Sequence, residues 1–204
     1  MKRLFTVFIV SIIGLSSVLS AAPKPEVKLQ QTVFSALEIV YGDCCVETSH
    51  EHKQAKVREL IESNYDTTVL IRRAIGRNWK LMNEDEQARV LDLVQQLVVK
   101  AYVKGMEGKA RPEITFDKAI SVSSKRLEVP SKVEFDGKTI YVLYRMGLME
   151  TGWQLFDIVP EGVSVVSNYR QQFDDHFRDG NGAELITKLE ELLQKDDLDE
   201  NIEL

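Results

Sequence analysis

Three groups of residues in this 204-residue sequence have the types and spacing that could do chemistry. The first is Asp43-Cys44-Cys45 with His50 and His52 just downstream. Thiolate and imidazole are ligands for zinc and copper. Their spacing fits none of the standard zinc sites, so the expectation is an exposed loop with no metal and no other cofactor. The adjacent cysteines are then free, or joined in a strained ring in an oxidising compartment. The second group is Tyr144, Asp157 and His176. A Tyr–Asp pair in an apolar pocket, with an imidazole close by, can move protons. The plainer reading is preferred: a packed tyrosine, a hydrogen-bonded carboxylate near a strand end and a surface histidine. The third group is Arg72, Arg73, Arg77 and Lys80, in a stretch with no acid between Asp66 and Glu84. Such a patch suits anionic headgroups or an acidic partner, and equally a solvated helix face.

Other chemistries lack their signatures. No Gly-rich phosphate loop, Ser-centred elbow or metalloprotease helix motif occurs. With 44% hydrophobic and 28% charged residues, the chain can bury one real core and is not a disordered polymer. Two cysteines are too few for a disulfide scaffold. A net charge of −6 argues against nucleic-acid binding, which needs Lys and Arg to neutralise phosphates.

The first residues look like an address, not a fold. Lys2 and Arg3 precede an acid-free apolar run from Leu4 to Leu19, followed by Ser20, Ala21 and Ala22. This order is that of a cleavable secretory signal peptide over about residues 1–21. The run is short, and broken by Ser11, Gly14, Ser16 and Ser17, which tells against a membrane span. Loss of Lys2 and Arg3 takes the net charge from −6 to −8. The expected product is a soluble exported protein in a bacterial periplasm, with a domain over 22–195 and an acidic tail over 196–204.

The elements that must position the reactive groups change type along the chain. From Glu26 to Gly105 the period is helical. Leu29, Val33, Leu37 and Val40 form one stripe; Val57, Leu60 and Ile61 start another; Val69, Leu70 and Ile75 a third. Asn83, with Glu86 three residues on, predicts a capping box at the start of the longest helix. From Ile114 to Val166 the period becomes two. The strands expected are Ile114–Ser121, Leu127–Phe135, Thr139–Met146, Trp153–Val159 and Val163–Val166, with Asp136-Gly137 as a tight hairpin. Pro130 predicts an edge position or a bulge. Asn168 reads as the cap of a helix carrying Tyr169, Phe173 and Phe177, and Leu185, Leu189, Leu192 and Leu193 mark the last helix. Helices, then an antiparallel meander, then helices predict an α+β fold.

Two segments carry a resemblance. One runs from Ala74 to Gln87 and contains Gly76-Arg77-Asn78-Trp79. The more specific runs from Gly152 to Phe173: Gly152-Trp153, Asp157, Glu161-Gly162-Val163-Ser164, Asn168-Tyr169-Arg170 and Phe173. Both resemble the MlaC family of periplasmic phospholipid-binding proteins, also called the toluene-tolerance Ttg2 family. The likeness covers about Glu26 to Leu193; Tyr41–Gln54 departs from it and Ile114–Phe135 fits loosely.

The resemblance implies an NTF2-like curved antiparallel sheet, wrapped by N-terminal and C-terminal helices around an apolar cavity. It implies a carrier of phospholipid, without catalytic residues, working between an outer-membrane lipoprotein complex and an inner-membrane ABC transporter of the Mla type to maintain outer-membrane lipid asymmetry. By alternation Ile140, Val142, Tyr144 and Met146 share one strand face, Trp153 and Leu155 another, Val163 and Val165 a third. The resemblance makes these the cavity lining, closed from the helices by Leu93, Leu97 and Phe173. Arg72, Arg73, Arg77, Lys80 and Arg170 become headgroup or partner contacts. An ordinary filled core would show the same residues. An enzyme using such a pocket, or a periplasmic adaptor without lipid, are the alternatives.

Overall fold

The computed structural model describes residues 23–42 and 49–195. The expected leader, Asp43-Cys44-Cys45 and the acidic tail lie outside them. Four helices come first: α1 (Pro25–Tyr41), α2 (His50–Asn64), α3 (Thr68–Ile75) and α4 (Glu84–Gly105), with a 3₁₀ turn over Gly76–Leu81 between the last two. Five strands follow: β1 (Glu113–Phe116), β2 (Ile120–Ser123), β3 (Arg126–Phe135), β4 (Lys138–Met149) and β5 (Gly152–Pro160). Helices α5 (Val165–Asp179) and α6 (Gly182–Gln194) close the chain. No described helix is long and apolar enough to cross a membrane.

The sheet is wholly antiparallel, in the order β1-β3-β4-β5, with β2 also pairing β3. Asp136 and Gly137 take φ of 51° and 72°, the twist a two-residue hairpin requires. The single strand expected over Ile114–Ser121 is in fact two, β1 and β2, which share β3 end to end. Pro130 consequently sits in a central strand, not at an edge. It lies where β3 changes partner from β2 to β1, and its carbonyl accepts from Asp117 across that junction. The donor that proline lacks therefore falls in the gap between two short strands. Register slips at Ser121/Ser123 and opposite Arg145/Met146, the second leaving Phe156 as an extra residue of β5. Bulges bend a sheet, and this one is curved and open.

The strand expected over Val163–Val166 does not form. Ser164 caps α5 by accepting from the Ser167 amide, so the helix begins at Val165 and its cap lies four residues before the one expected at Asn168. Asp157 drives this outcome. Its carboxylate accepts from the Ser164 hydroxyl at 2.8 Å and from the Val166 amide at 3.3 Å, two bonds that a strand could not present together. The capping boxes at Asn83/Glu86 of α4 and Asn181/Glu184 of α6 both form.

Helix α4 organises the molecule because three of its faces are apolar. Val90, Leu93, Leu97 and Ala101 pack with Ile71, Ala74 and Ile75 of α3, Phe173 of α5, and Leu185, Leu189 and Leu192 of α6. Val99 and Val103 pack with Val40 of α1 and Val57 of α2. The third face carries Leu91, Val94, Val98 and Tyr102, at spacings of three and four. No part of it is sealed, and Val98 is 48% exposed in mid-helix.

Candidate functional site

The pairing register puts rows of side chains on alternate faces of the sheet. Phe116, Ser131 and Val142 form one row, Val129, Tyr144 and Ile158 the next, and Leu127, Met146 and Leu155 a third. All lie on one face. Leu29 of α1 and Tyr65, just past α2, are buried against it with Val129 and Met146. Val33, Phe116, Leu127, Tyr144, Trp153 and Leu155 pack around that nucleus but stay half-buried. Aromatic rings continue the surface outward. Phe34 meets Phe116 edge-on with ring centres 5.8 Å apart, and Phe116 meets Tyr144 at 5.9 Å. Phe34 is 41% exposed, so this row opens to the outside.

Besides Ser131, the polar groups on and around this face are phenols. Burial raises the pKa of Tyr144, opposed by the Ser131 hydroxyl beside it. Tyr102 of α4 is pushed up to about 12 by burial, with the Tyr144 and Tyr41 phenols acting in the same direction. Tyr65 is pushed up to about 12, also chiefly by burial. Nearby Thr32 opposes that rise, its Oγ1 donates to the Lys28 carbonyl at 2.9 Å, and the Tyr65 hydroxyl itself has no hydrogen-bond partner. All three phenols therefore stay neutral donors at ordinary pH.

Of the expected lining, Tyr144, Met146, Trp153 and Leu155 come together in this cluster. Ile140 and Val142 extend the same strand face and are half-buried. Leu93, Leu97 and Phe173 do not join them, being sealed in the separate core of α3 to α6. Val163 stands on a turn, 61% exposed, and Val165 is the first residue of α5, so neither occupies the strand face expected for it. Sequence reasoning passed over Leu29, Val33, Phe34, Tyr65, Phe116, Leu127 and Val129. The stripe on α1 was the available signal for the first two. Only the fold could show that it meets the sheet.

The proposed proton-transfer group is dispersed. Asp157 lies on the opposite face from Tyr144, paired across strands with Arg145 at 3.2 Å and tied to the start of α5. His176 is half-buried and its ring Nε2 lies 3.0 Å from the Asn181 carbonyl oxygen. Among the described residues no three His, Cys, Asp or Glu side chains gather as a metal site. His50 instead pairs with Glu107 at 3.2 Å.

The basic residues form an exposed surface of stacked cations. Arg72 lies over Trp79 at 5.0 Å and Arg73 over Phe156 at 4.9 Å, with Arg126 on the same ring at 6.0 Å. Arg77 pairs with Asp174 at 3.4 Å. Arg170 donates through Nε to the Arg73 carbonyl at 3.1 Å, covering the end of α3. Gly76 permits this contact. Its φ of +63° suits glycine, and a Cβ there would meet Arg170 Nε at 3.3 Å.

Two grooves lie away from the sheet face. One of about 820 Å³ runs between α2, α4 and α6, lined mainly by long polar residues such as His50, Arg89, Lys100 and Glu190 whose stems make about half of its surface apolar. The other, about 170 Å³, lies beside Tyr41, Lys53 and Met106. Neither is the apolar chamber expected between sheet and helices. There, α1 and the sheet meet directly through the cluster of Leu29, Tyr65, Val129 and Met146.

The family described as MlaC protein matches residues 30–191. The chain belongs to the MlaC family. Among solved structures, a phospholipid-binding protein from Ralstonia solanacearum, determined in complex with a phospholipid, superposes with a TM-score of 0.70. It is 20% identical in sequence, and the match covers 85% of this chain and 100% of that one. The likeness establishes the α+β fold with its open, curved antiparallel sheet. No curated protein matches the chain. In this MlaC protein the two signature segments prove to be builders of the fold. Asn78 is buried and donates to Asp174 at 2.7 Å, while Asp157 and Ser164 make the corner between β5 and α5.

Proposed function

We propose that this MlaC protein is a periplasmic phospholipid carrier, secreted by cleavage of a signal peptide over residues 1–21, with the lipid-binding domain over 22–195. It takes phospholipid as cargo, not as a cofactor. It exchanges that cargo with an outer-membrane lipoprotein complex and an inner-membrane ABC transporter of the Mla type, maintaining outer-membrane lipid asymmetry. The observation that carries the reading is an apolar sheet face whose lining is half-buried, from Phe34 through Phe116 to Tyr144, opposite α1.

A diacyl lipid has on the order of 30 chain methylenes, each costing about 0.8 kcal/mol in water, so about 25 kcal/mol opposes unaided crossing of an aqueous gap. A carrier offers the tails a surface as apolar as a bilayer. It need not exceed the bilayer by much, since cargo held too tightly is never delivered. Family membership, and the phospholipid in complex with the Ralstonia protein of the same fold, support this assignment. The commitment of Asp157 to the start of α5 favours binding over catalysis.

Val142, Tyr144, Met146, Trp153 and Leu155 contact the acyl chains in this reading. Arg72, Arg73, Arg77 and Lys80 meet headgroups or an anionic partner. Organic extraction of protein purified without detergent, followed by mass spectrometry, tests the proposal. About one phospholipid per chain is expected, and its absence counts against the carrier. Leu155→Glu should fold and lose most of its lipid, because a carboxylate on a dry face is costly. Undiminished loading in that variant would show that another face carries the tails.

A further inference from the structure

Tyr65 is 6% exposed, and its hydroxyl is the one buried side-chain polar atom without a hydrogen-bond partner among the described residues. Such a group costs stability in the unloaded protein and is rarely left so without reason. Its surroundings are those of the sheet face. Leu29, Val129 and Met146 seal it, and Val33, Phe116, Leu127, Trp153 and Leu155 pack around these. Lys28 lies over its ring at 5.0 Å and donates to the Asn64 carbonyl. The neighbouring hydroxyl of Thr32 donates to the Lys28 carbonyl and is not placed to accept from Tyr65, whose hydroxyl has no partner.

We propose that Tyr65 is a specificity-determining residue whose hydroxyl donates a hydrogen bond to an acyl ester carbonyl of the bound lipid. This rests on the carrier reading above. The acceptor must be uncharged, because the cluster around the hydroxyl is apolar and an anion brought into it would lose its hydration without a cation aimed at it. It must also sit where two acyl tails begin, since the same cluster is what the tails would occupy. Of the polar groups in a phospholipid only the ester carbonyls meet both conditions. The phosphate stays outside the apolar cluster. Tails that insert between α1 and the sheet first displace half-buried side chains and then part the sealed contact of Leu29, Val129 and Met146 to reach the hydroxyl, leaving the core of α3 to α6 undisturbed.

The test uses the full mature chain. It is equilibrated with vesicles containing equal amounts of a diester phosphatidylglycerol and its dialkyl ether analogue of the same chain length, then re-isolated, and bound lipid is counted by mass spectrometry. The wild type should take the ester over the ether by about fivefold, the preference that one ordinary neutral hydrogen bond supports. Tyr65→Phe should bring the ratio to about one while ether loading is unchanged. Lipid-free Tyr65→Phe should melt no lower than the wild type. A wild-type ratio of one overturns the proposal, as does a variant that keeps the preference. A clear fall in the melting temperature of Tyr65→Phe also overturns it, by showing that the hydroxyl has a partner before cargo arrives. Should the variant fail to fold, the wild-type ratio decides alone. A wild type that takes up neither lipid sinks the carrier reading, and the ester contact with it.

Discussion

Two of the apolar clusters of this molecule are built on similar residues and are finished differently. In the cluster of α3 to α6, Ile75, Val90, Leu185 and Leu189 are entirely sealed, and aliphatic side chains of α3, α4 and α6 interlock around Phe173 of α5. In the cluster of α1 and the sheet a small sealed nucleus is ringed by half-buried aromatics, and its one deep hydroxyl is unpaired. Close packing gives stability, because every lost contact leaves a void. Incomplete packing gives up some of that stability and leaves surface for something else to cover. The first region holds the fold; the second is where a ligand would gain most.

The sharpest way to break this contrast is a matched pair of truncations. Leu189→Ala should cost about 2–5 kcal/mol in denaturant unfolding, as for a sealed core leucine, and leave lipid per folded molecule unchanged. Leu155→Ala should cost less than about 2 kcal/mol and reduce loading. Equal stability losses, or loading that follows Leu189, would erase the distinction.

Alkali should attack the sheet side. Tyr65 and Tyr102 have pKa values raised from 10.0 to about 12, because the folded interior disfavours the phenolate. In the unfolded chain they ionise near 10, so the unfolded state gives up protons first. Their contribution is full below about pH 10 and is lost as pH rises toward 12, up to about 3 kcal/mol per tyrosine. Unfolding measured between pH 9 and 12 should show the decline, and Tyr65→Phe should remove about half of it. A flat profile would mean that the phenols are better hydrated than this structure has them.

A smaller effect sharpens the helical side. Asn83→Ala deletes the capping box at the start of α4 and should cost about 1 kcal/mol in the same unfolding assay without altering loading. Loss of loading would tie the start of α4 to the lipid-binding face, contrary to the division drawn above.

Much of the architecture could be read from the chain because its causes are local. The Asn83–Glu86 box, the Asp136-Gly137 turn and the stripe of Tyr169, Phe173 and Phe177 depend on neighbours a few residues away, and all formed. The errors came where distant partners decide. Val163–Val166 has strand composition, but Asp157 reaches across to its backbone and starts a helix. Pro130 looks like an edge residue until two strands are seen to divide one partner between them. Leu93, Leu97 and Phe173 have the right character for a cavity wall, and periodicity alone could not say which core they join.

By itself the sequence determined the order of elements, the caps and turns, and which side of each helix or strand is apolar, since those follow from spacing along the backbone. Which apolar faces meet, which are left half-covered, and which hydroxyl is stranded among them were decided only by tertiary structure. Burial is a property of surfaces brought together from far apart in the chain, and no local pattern encodes the partner.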